Sequence, residues 1–203
     1  MRRIVLQEMV SLDGFAAGPN GEFDWPLADE EFEKHANELL DTADTLLLGR
    51  KTYEMFATYR PTAASSPTGT MGGPEGAEFT VPTSPTKAHK EVARKMNSYR
   101  KVVFSRSLIK VEWANSILVR EVNPKDIDEM KRQNGKDMLL LGSIDLARSF
   151  IRHGLIDEYR LWVNPIILGK GMALLEGFDR RKLGFAGTRT FGSGLVELRY
   201  KQL

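Results

Sequence analysis

Thr45-Leu46-Leu47-Leu48-Gly49-Arg50-Lys51-Thr52-Tyr53-Glu54 is the stretch on which the architecture turns. Its uncharged run ends at Gly49, which suits a strand buried on both faces, and residues 51–57 can then begin a helix. In that order, backbone N–H groups and the positive end of a helix dipole meet at the carboxyl edge of a sheet, a place suited to phosphate.

The same order recurs downstream. Met138-Leu139-Leu140-Leu141 runs into Gly142-Ser143, and Leu146, Ala147, Phe150 and Ile151 then form one helix face, stopped by Gly154. Two such strand ends suit the two phosphates of a dinucleotide, although either glycine alone also suits an ordinary tight turn. Arg50, Lys51 and Thr52 put a cationic fork and a hydroxyl directly after Gly49, which is what the 2′-phosphate of NADPH requires beyond NADH. The alternative for these cations is a solvated helix start. A second pair, Ser105-Arg106, follows another strand.

Working outward, residues 3–11 alternate as a first strand and feed a loop carrying Gly14, Gly18 and Gly21. Phe32, Ala36, Leu39, Leu40 and Ala43 lie on one face of a helix within residues 29–44, with acidic residues in its first turn. Residues 60–87 are rich in Pro, Ser, Thr and Gly and read as a mobile surface insertion. Val92, Met96 and Tyr99 mark another helix, residues 101–105 and 116–120 two strands, and Asn123-Pro124 a capped helix start closed by Gly135. Residues 157–168 read as a strand broken by Pro165, and 183–203 as a hairpin around Gly192-Ser193-Gly194. One α/β domain over residues 1–203, finished by antiparallel strands, is expected.

Composition removes several chemistries. Cysteine is absent from the 203 residues, so disulfides, thiolate nucleophiles and Cys-based metal sites are excluded, and the three histidines show no metal-ligand spacing. No metal is expected. The formal charge of +2 is spread along the chain, which argues against a nucleic-acid partner. No apolar stretch approaches ~20 residues, so neither a membrane span nor export is expected. The dinucleotide fingerprint fails at glycines 14, 18 and 21, where Pro19 would also deny an amide to phosphate. Gly169-Lys170-Gly171 lacks the Ser or Thr of a phosphate loop.

Four motifs, taken in order, resemble the riboflavin-biosynthesis reductase C-terminal domain family. They are Val10-Ser11-Leu12-Asp13-Gly14-Phe15, Leu48-Gly49-Arg50-Lys51-Thr52-Tyr53, Leu141-Gly142-Ser143 with its helix, and residues 155–161 running through Pro165-Ile166-Ile167-Leu168-Gly169-Lys170-Gly171. The resemblance covers nearly the whole chain except residues 60–87. It implies a dihydrofolate-reductase-like α/β fold: a central, mostly parallel mixed sheet flanked by helices, with a C-terminal antiparallel hairpin. Gly49-Arg50-Lys51-Thr52-Tyr53-Glu54 is also similar to the Gly-Arg-x-Thr-Trp-Glu motif of dihydrofolate reductase itself.

The activity implied is hydride transfer from NADPH to a small heterocycle, as in 5-amino-6-(5-phosphoribosylamino)uracil reductase or dihydrofolate reductase, in a cytoplasmic homodimer. A non-catalytic dinucleotide or small-molecule binding protein on the same fold is the alternative. By resemblance Gly49, Arg50, Lys51 and Thr52 would hold the phosphates, and Ser105 and Arg106 would flank the 2′-phosphate. Gly142, Ser143, Ile144 and Leu146 would receive the pyrophosphate and nicotinamide side, and the loop at Phe15 and Ala16 would cover the nicotinamide.

Asp13 and Glu30 are the candidate proton donors; a register shift of one would put Asp29 or Glu31 in Glu30's place, and a charge stabilising a helix N-terminus is the more ordinary role for Glu30. Phe23, Trp25 and Tyr53 would line a flat, aromatic-friendly pocket, unless they serve the core. Two departures stand out. Riboflavin-pathway reductases usually carry Glu-Gly-Gly where this chain has Leu141-Gly142-Ser143, and a chain without cysteine cannot contain their zinc deaminase domain.

Overall fold

The first strand is β1 (Ile4–Ser11), and the glycine loop after it carries a short strand, β2 (Phe15–Ala17). The computed structural model describes residues 1–59, 70–72, 78–80 and 86–203, so the mobility expected of residues 60–87 falls largely outside the described residues. α1 (Glu30–Asp41) begins where Asp29 caps it, accepting from the Phe32 amide at 2.8 Å. β3 (Ala43–Gly49) then runs straight into α2 (Arg50–Tyr59). A short antiparallel pair follows, β4 (Thr70–Gly72) and β5 (Glu78–Thr80). α3 (Lys87–Ser98) starts within the span read as insertion, because Thr86 caps it by accepting from the His89 amide at 3.0 Å.

β6 (Arg100–Phe104) and β7 (Ser116–Val119) precede α4 (Pro124–Arg132), which Asn123 caps with proline in the first turn. β8 (Asp137–Leu140) leads to α5 (Ile144–Arg152), followed by β9 (Glu158–Asn164), β10 (Met172–Ala173), and the hairpin β11 (Leu183–Thr190) and β12 (Val196–Gln202).

Eight of these strands form one sheet in the order β11-β12-β9-β1-β8-β3-β6-β7. From β9 to β7 every pairing is parallel, and β12 and β11 add antiparallel to that edge. Alternate residues of the central strands enter two apolar layers. Leu6, Leu47 and Leu140 pack with Phe150 of α5, while Val5, Leu46, Leu48 and Leu139 pack with Leu39 and Leu40 of α1 and Met96 of α3. Burial on both faces is why these strands read as apolar runs. β2, which follows the carboxyl end of β1, pairs with β10. Among the described residues no helix is long and apolar enough to cross a membrane.

Candidate functional site

Strand register builds the site. Leu6 of β1 and Leu47 of β3 both stand level with Leu140 of β8, so two residues further on Glu8, Gly142 and Gly49 come side by side. The Gly49 amide donates to the Gly142 carbonyl at 2.8 Å, and Gly49 stands level with Phe104 of β6. α2 and α5 therefore open within two neighbouring strand ends. The approach is so close that a Cβ on Gly49 would lie 2.8 Å from the Ser143 backbone nitrogen. Gly142 has φ +89°, and a Cβ there would lie 3.1 Å from Thr52 Oγ1 and 3.4 Å from Glu8 Oε2.

Beside these ends runs a cleft of about 550 Å³, lined by Gly49, Arg50, Lys51, Phe104, Ser105, Arg106, Arg120, Ser143, Asp145, Leu146 and Ser149, among others. Arg50 pairs with Glu54 one turn on at 3.1 Å. Ser105 Oγ accepts from the amides of Ser107 and Leu108 at 3.2 and 3.0 Å, so it shapes its own turn. Arg120 donates to the carbonyls of Ser105 and Leu108 and so ties the end of β7 to that turn. Arg106 is 84% exposed, with Glu121 3.9 Å away. Three guanidinium groups, a lysine and two helix N-termini gather around one cleft, with the carboxylates of Glu121 and Asp145 also in its lining. The reading of the sequence passed over Arg120; the signal was a cation directly after β7, on the edge that already carried Ser105-Arg106.

Other expected residues fall elsewhere. Thr52 and Gly142 adjoin the cleft without lining it, and Ile144 packs partly buried on the core. Ala16 is buried and Phe15 half-buried, both on β2. Phe23 and Trp25 stack edge to face at 5.7 Å and pack against the second apolar layer. Tyr53 is corrected from pocket wall to core anchor: it is 5% exposed, and its hydroxyl accepts from the amides of Glu112 and Trp113 at 2.9 and 3.0 Å.

Both proposed proton donors are corrected as well. Asp13 accepts from Ser11 Oγ, Leu168 N and Gly169 N, which fastens two loops, and these bonds, the Ser11 one foremost, hold its carboxyl below the ordinary range. Glu30 is exposed and pairs with Lys34 at 3.0 Å. The alternatives are occupied too, Asp29 as the α1 cap and Glu31 as acceptor of the Gly192 amide at 2.9 Å.

A further carboxyl at this edge is Glu8, which sequence reasoning missed. It shares a strand face with Leu6 and Val10, both in the layer beneath α5. Its Oε2 is shielded from solvent with no hydrogen-bond partner among the described residues, and burial pushes its pKa up to about 8. The available signal was an acid at an inward position of an otherwise apolar strand.

A family model of the RibD C-terminal domain matches residues 2–197. This chain belongs to the RibD C-terminal domain family. Among its relatives is the uncharacterized protein YyaP of Bacillus subtilis (strain 168), 32% identical over 98% of this chain and 94% of its own length. The uncharacterized protein YwjB of the same organism is 28% identical over 98% of this chain and 97% of its own. A putative riboflavin biosynthesis protein from Shewanella sp. PV-4 superposes with a TM-score of 0.67 at 20% identity, covering 100% of this chain and 99% of that one.

The Thermotoga maritima diaminohydroxyphosphoribosylaminopyrimidine deaminase/5-amino-6-(5-phosphoribosylamino)uracil reductase gives a TM-score of 0.59 at 15% identity, covering 100% of this chain and 57% of that one. The RibD-type domain described here thus has the dihydrofolate-reductase-like architecture, with its cleft at the carboxyl edge of β3, β6 and β8.

Proposed function

We propose that this RibD-type domain is an NADPH-dependent reductase of a small heterocycle. The observation that carries the reading is the cleft where the N-termini of α2 and α5 meet Arg50, Arg106 and Arg120. The residues fit a dinucleotide: without a Cβ, Gly49 lets Ser143 come into contact with it, so the starts of α2 and α5 stand side by side at the edge of the cleft, where both can face phosphate.

NADPH, when bound, supplies a hydride from its nicotinamide ring. Arg50 and Lys51 would neutralise the pyrophosphate at the starts of α2 and α5, and Thr52 would add a hydroxyl. Arg106 and Arg120, at the β6–β7 side, take the 2′-phosphate. β2, with Phe15 and Ala16, closes over the carboxyl edge and excludes water from the transfer. Phe23 and Trp25 offer aromatic faces to a flat substrate. Leu141 in place of a strand-end glutamate points to a heterocycle other than the riboflavin precursor named for the Thermotoga protein. We also place the domain in the cytoplasm and propose that it works as a homodimer, with the segment from β9 towards Leu168 at the subunit contact.

Fluorescence titration with NADPH and NADH tests this reading. NADPH binding at least tenfold tighter than NADH is expected, and absent saturation or equal affinity overturns it. Consumption of NADPH in the presence of a reducible heterocycle separates an enzyme from a binding protein.

A further inference from the structure

Glu8 places a solvent-shielded carboxyl oxygen at the carboxyl edge with no hydrogen-bond partner among the described residues. In the row across the sheet, Phe104, Gly49, Gly142, Glu8 and Leu161 stand on successive strands β6, β3, β8, β1 and β9. The helix N-termini occupy the middle of this row, and Arg106 and Arg120 its β6–β7 end. A dinucleotide with its phosphates at the middle and its 2′-phosphate at the arginines extends its other end over β1. At strand spacings of ~4.8 Å, Glu8 lies about 10 Å from Gly49.

Resting on the reading of the site as an NADPH cleft, we propose that Glu8 faces the nicotinamide end of the cofactor and senses its oxidation state. Glu8 stays uncharged beside the neutral dihydronicotinamide and ionises beside the nicotinamide cation.

The surroundings favour such a switch. Neither neighbour in register, Leu161 or Gly142, offers a charge, and the side chain from α2 nearest to Gly142 is the neutral Thr52. From α5, Arg148 is engaged with the Ala173 carbonyl and Glu176. Arg50, Lys51 and Asp145 line the cleft further along. No ion pair of Glu8 is found among the described residues, and although the residue as a whole is only half-buried, the shielding of its carboxyl pushes the pKa up to about 8, which favours the protonated form at pH 7. An opposite charge at contact distance lowers a carboxyl's pKa by roughly 1 to 3, which leaves Glu8 between half and almost fully ionised at the same pH. Oxidised cofactor would then bind with release of the Glu8 proton to solvent, and reduced cofactor without it. By linkage, raising the pH from 7 to 9 strengthens NADP⁺ binding relative to NADPH.

The proton count on binding is measured by titration calorimetry at pH 7 in two buffers of different ionisation enthalpy, using NADP⁺ and NADPH in turn. About 0.4 to 0.9 more proton is expected to leave per NADP⁺ than per NADPH, the range set by a lowering of roughly 1 to 3 from a pKa of about 8. The 2′-phosphate, common to both ligands, cancels in the difference. Glu8→Gln, and Glu8→Ala as a second variant, are expected to bind NADPH and to abolish the difference. Equal release with both ligands in the wild-type protein overturns the inference, as does a difference that survives both variants. Failure of both ligands to bind overturns instead the assignment of the cleft to NADPH, from which this inference starts.

Discussion

Asp13 Oδ2 accepts a hydrogen bond from the Gly169 amide at 2.7 Å, while its Oδ1 accepts from Ser11 Oγ at 2.6 Å and from the Leu168 amide at 3.1 Å. One carboxylate thereby joins the loop leaving β1 to the loop leaving β9, two strands that run parallel side by side. Ionisation is what makes it an acceptor at every position, and the lowered pKa, due first to Ser11, records the same preference. Because the folded pKa is depressed, the contribution is present at neutral pH and is lost as pH falls through that value. The amide resonances of Leu168 and Gly169 are expected to titrate together with a midpoint below that of an unperturbed aspartate. Asp13→Ala is expected to accelerate hydrogen exchange at both amides; unchanged exchange would remove the joint from the account.

Gly49 sits where β3 and the start of α5 nearly touch, and a Cβ there would stand 2.8 Å from the Ser143 backbone nitrogen. Backbone cannot yield as a flexible side chain does. Gly49→Ala is expected to cost about 1–3 kcal/mol in chemical denaturation and to weaken NADPH binding by displacing both helix starts. A variant with wild-type stability and affinity would mean that the two strand ends are not rigidly coupled.

How much of this was legible beforehand follows from where each feature keeps its partners. β3 and β8 are buried on both faces, so local composition alone marks them, and glycine followed by helix-forming residues marks their ends. The α4 start was equally local, since Asn123 caps the helix whose first residue is Pro124. The pairing of β2 with β10 involves segments of three and two residues, more than 150 positions apart, and leaves no periodic trace. Asp13 and Tyr53 resembled site residues until their distant partners, Gly169 and Trp113, were in view. Glu8 was visible as an interruption of an apolar strand, but its consequence depends on Gly142 and Thr52 arriving beside it.

Arg106 and Arg120 divide their duties at the β6–β7 end of the cleft. Arg106 is largely exposed and free of close structural bonds to the turn, whereas Arg120 holds the Ser105 and Leu108 carbonyls. A charge-assisted contact to phosphate contributes about 1.5–3 kcal/mol, so Arg106→Ala is expected to weaken NADPH binding roughly 10- to 100-fold and leave NADH unchanged. Arg120→Ala is expected to weaken both ligands, because the turn carrying Ser105 and Arg106 loosens with it. Parallel titrations of the two variants with the two ligands check this; equal losses for NADPH and NADH in Arg106→Ala would dissociate that residue from the 2′-phosphate.

Lys101 is fully buried at the start of β6, yet each of its three donor positions has an acceptor: the carbonyls of Asn97, Tyr99 and Ala114 at 3.1, 2.8 and 2.9 Å. The Trp113 ring lies 4.4 Å from its ammonium nitrogen. Its stem fills space in the core while its head closes the end of α3, so methionine would preserve the first role and remove the second. Lys101→Met is expected to lower stability at pH 7 by about 2–4 kcal/mol, the cost of leaving carbonyls without their donor. Burial lowers the lysine's pKa to about 8, below its unfolded value. Between about pH 8 and 10.5 the unfolded chain therefore binds more protons, and wild-type stability gains from this group as pH rises, a gain that Lys101→Met lacks. Denaturation midpoints of both proteins at pH 7 and pH 9.5 test the two statements together. A gap that is absent at pH 7, or that narrows as pH rises, would refute the role assigned to the ammonium group.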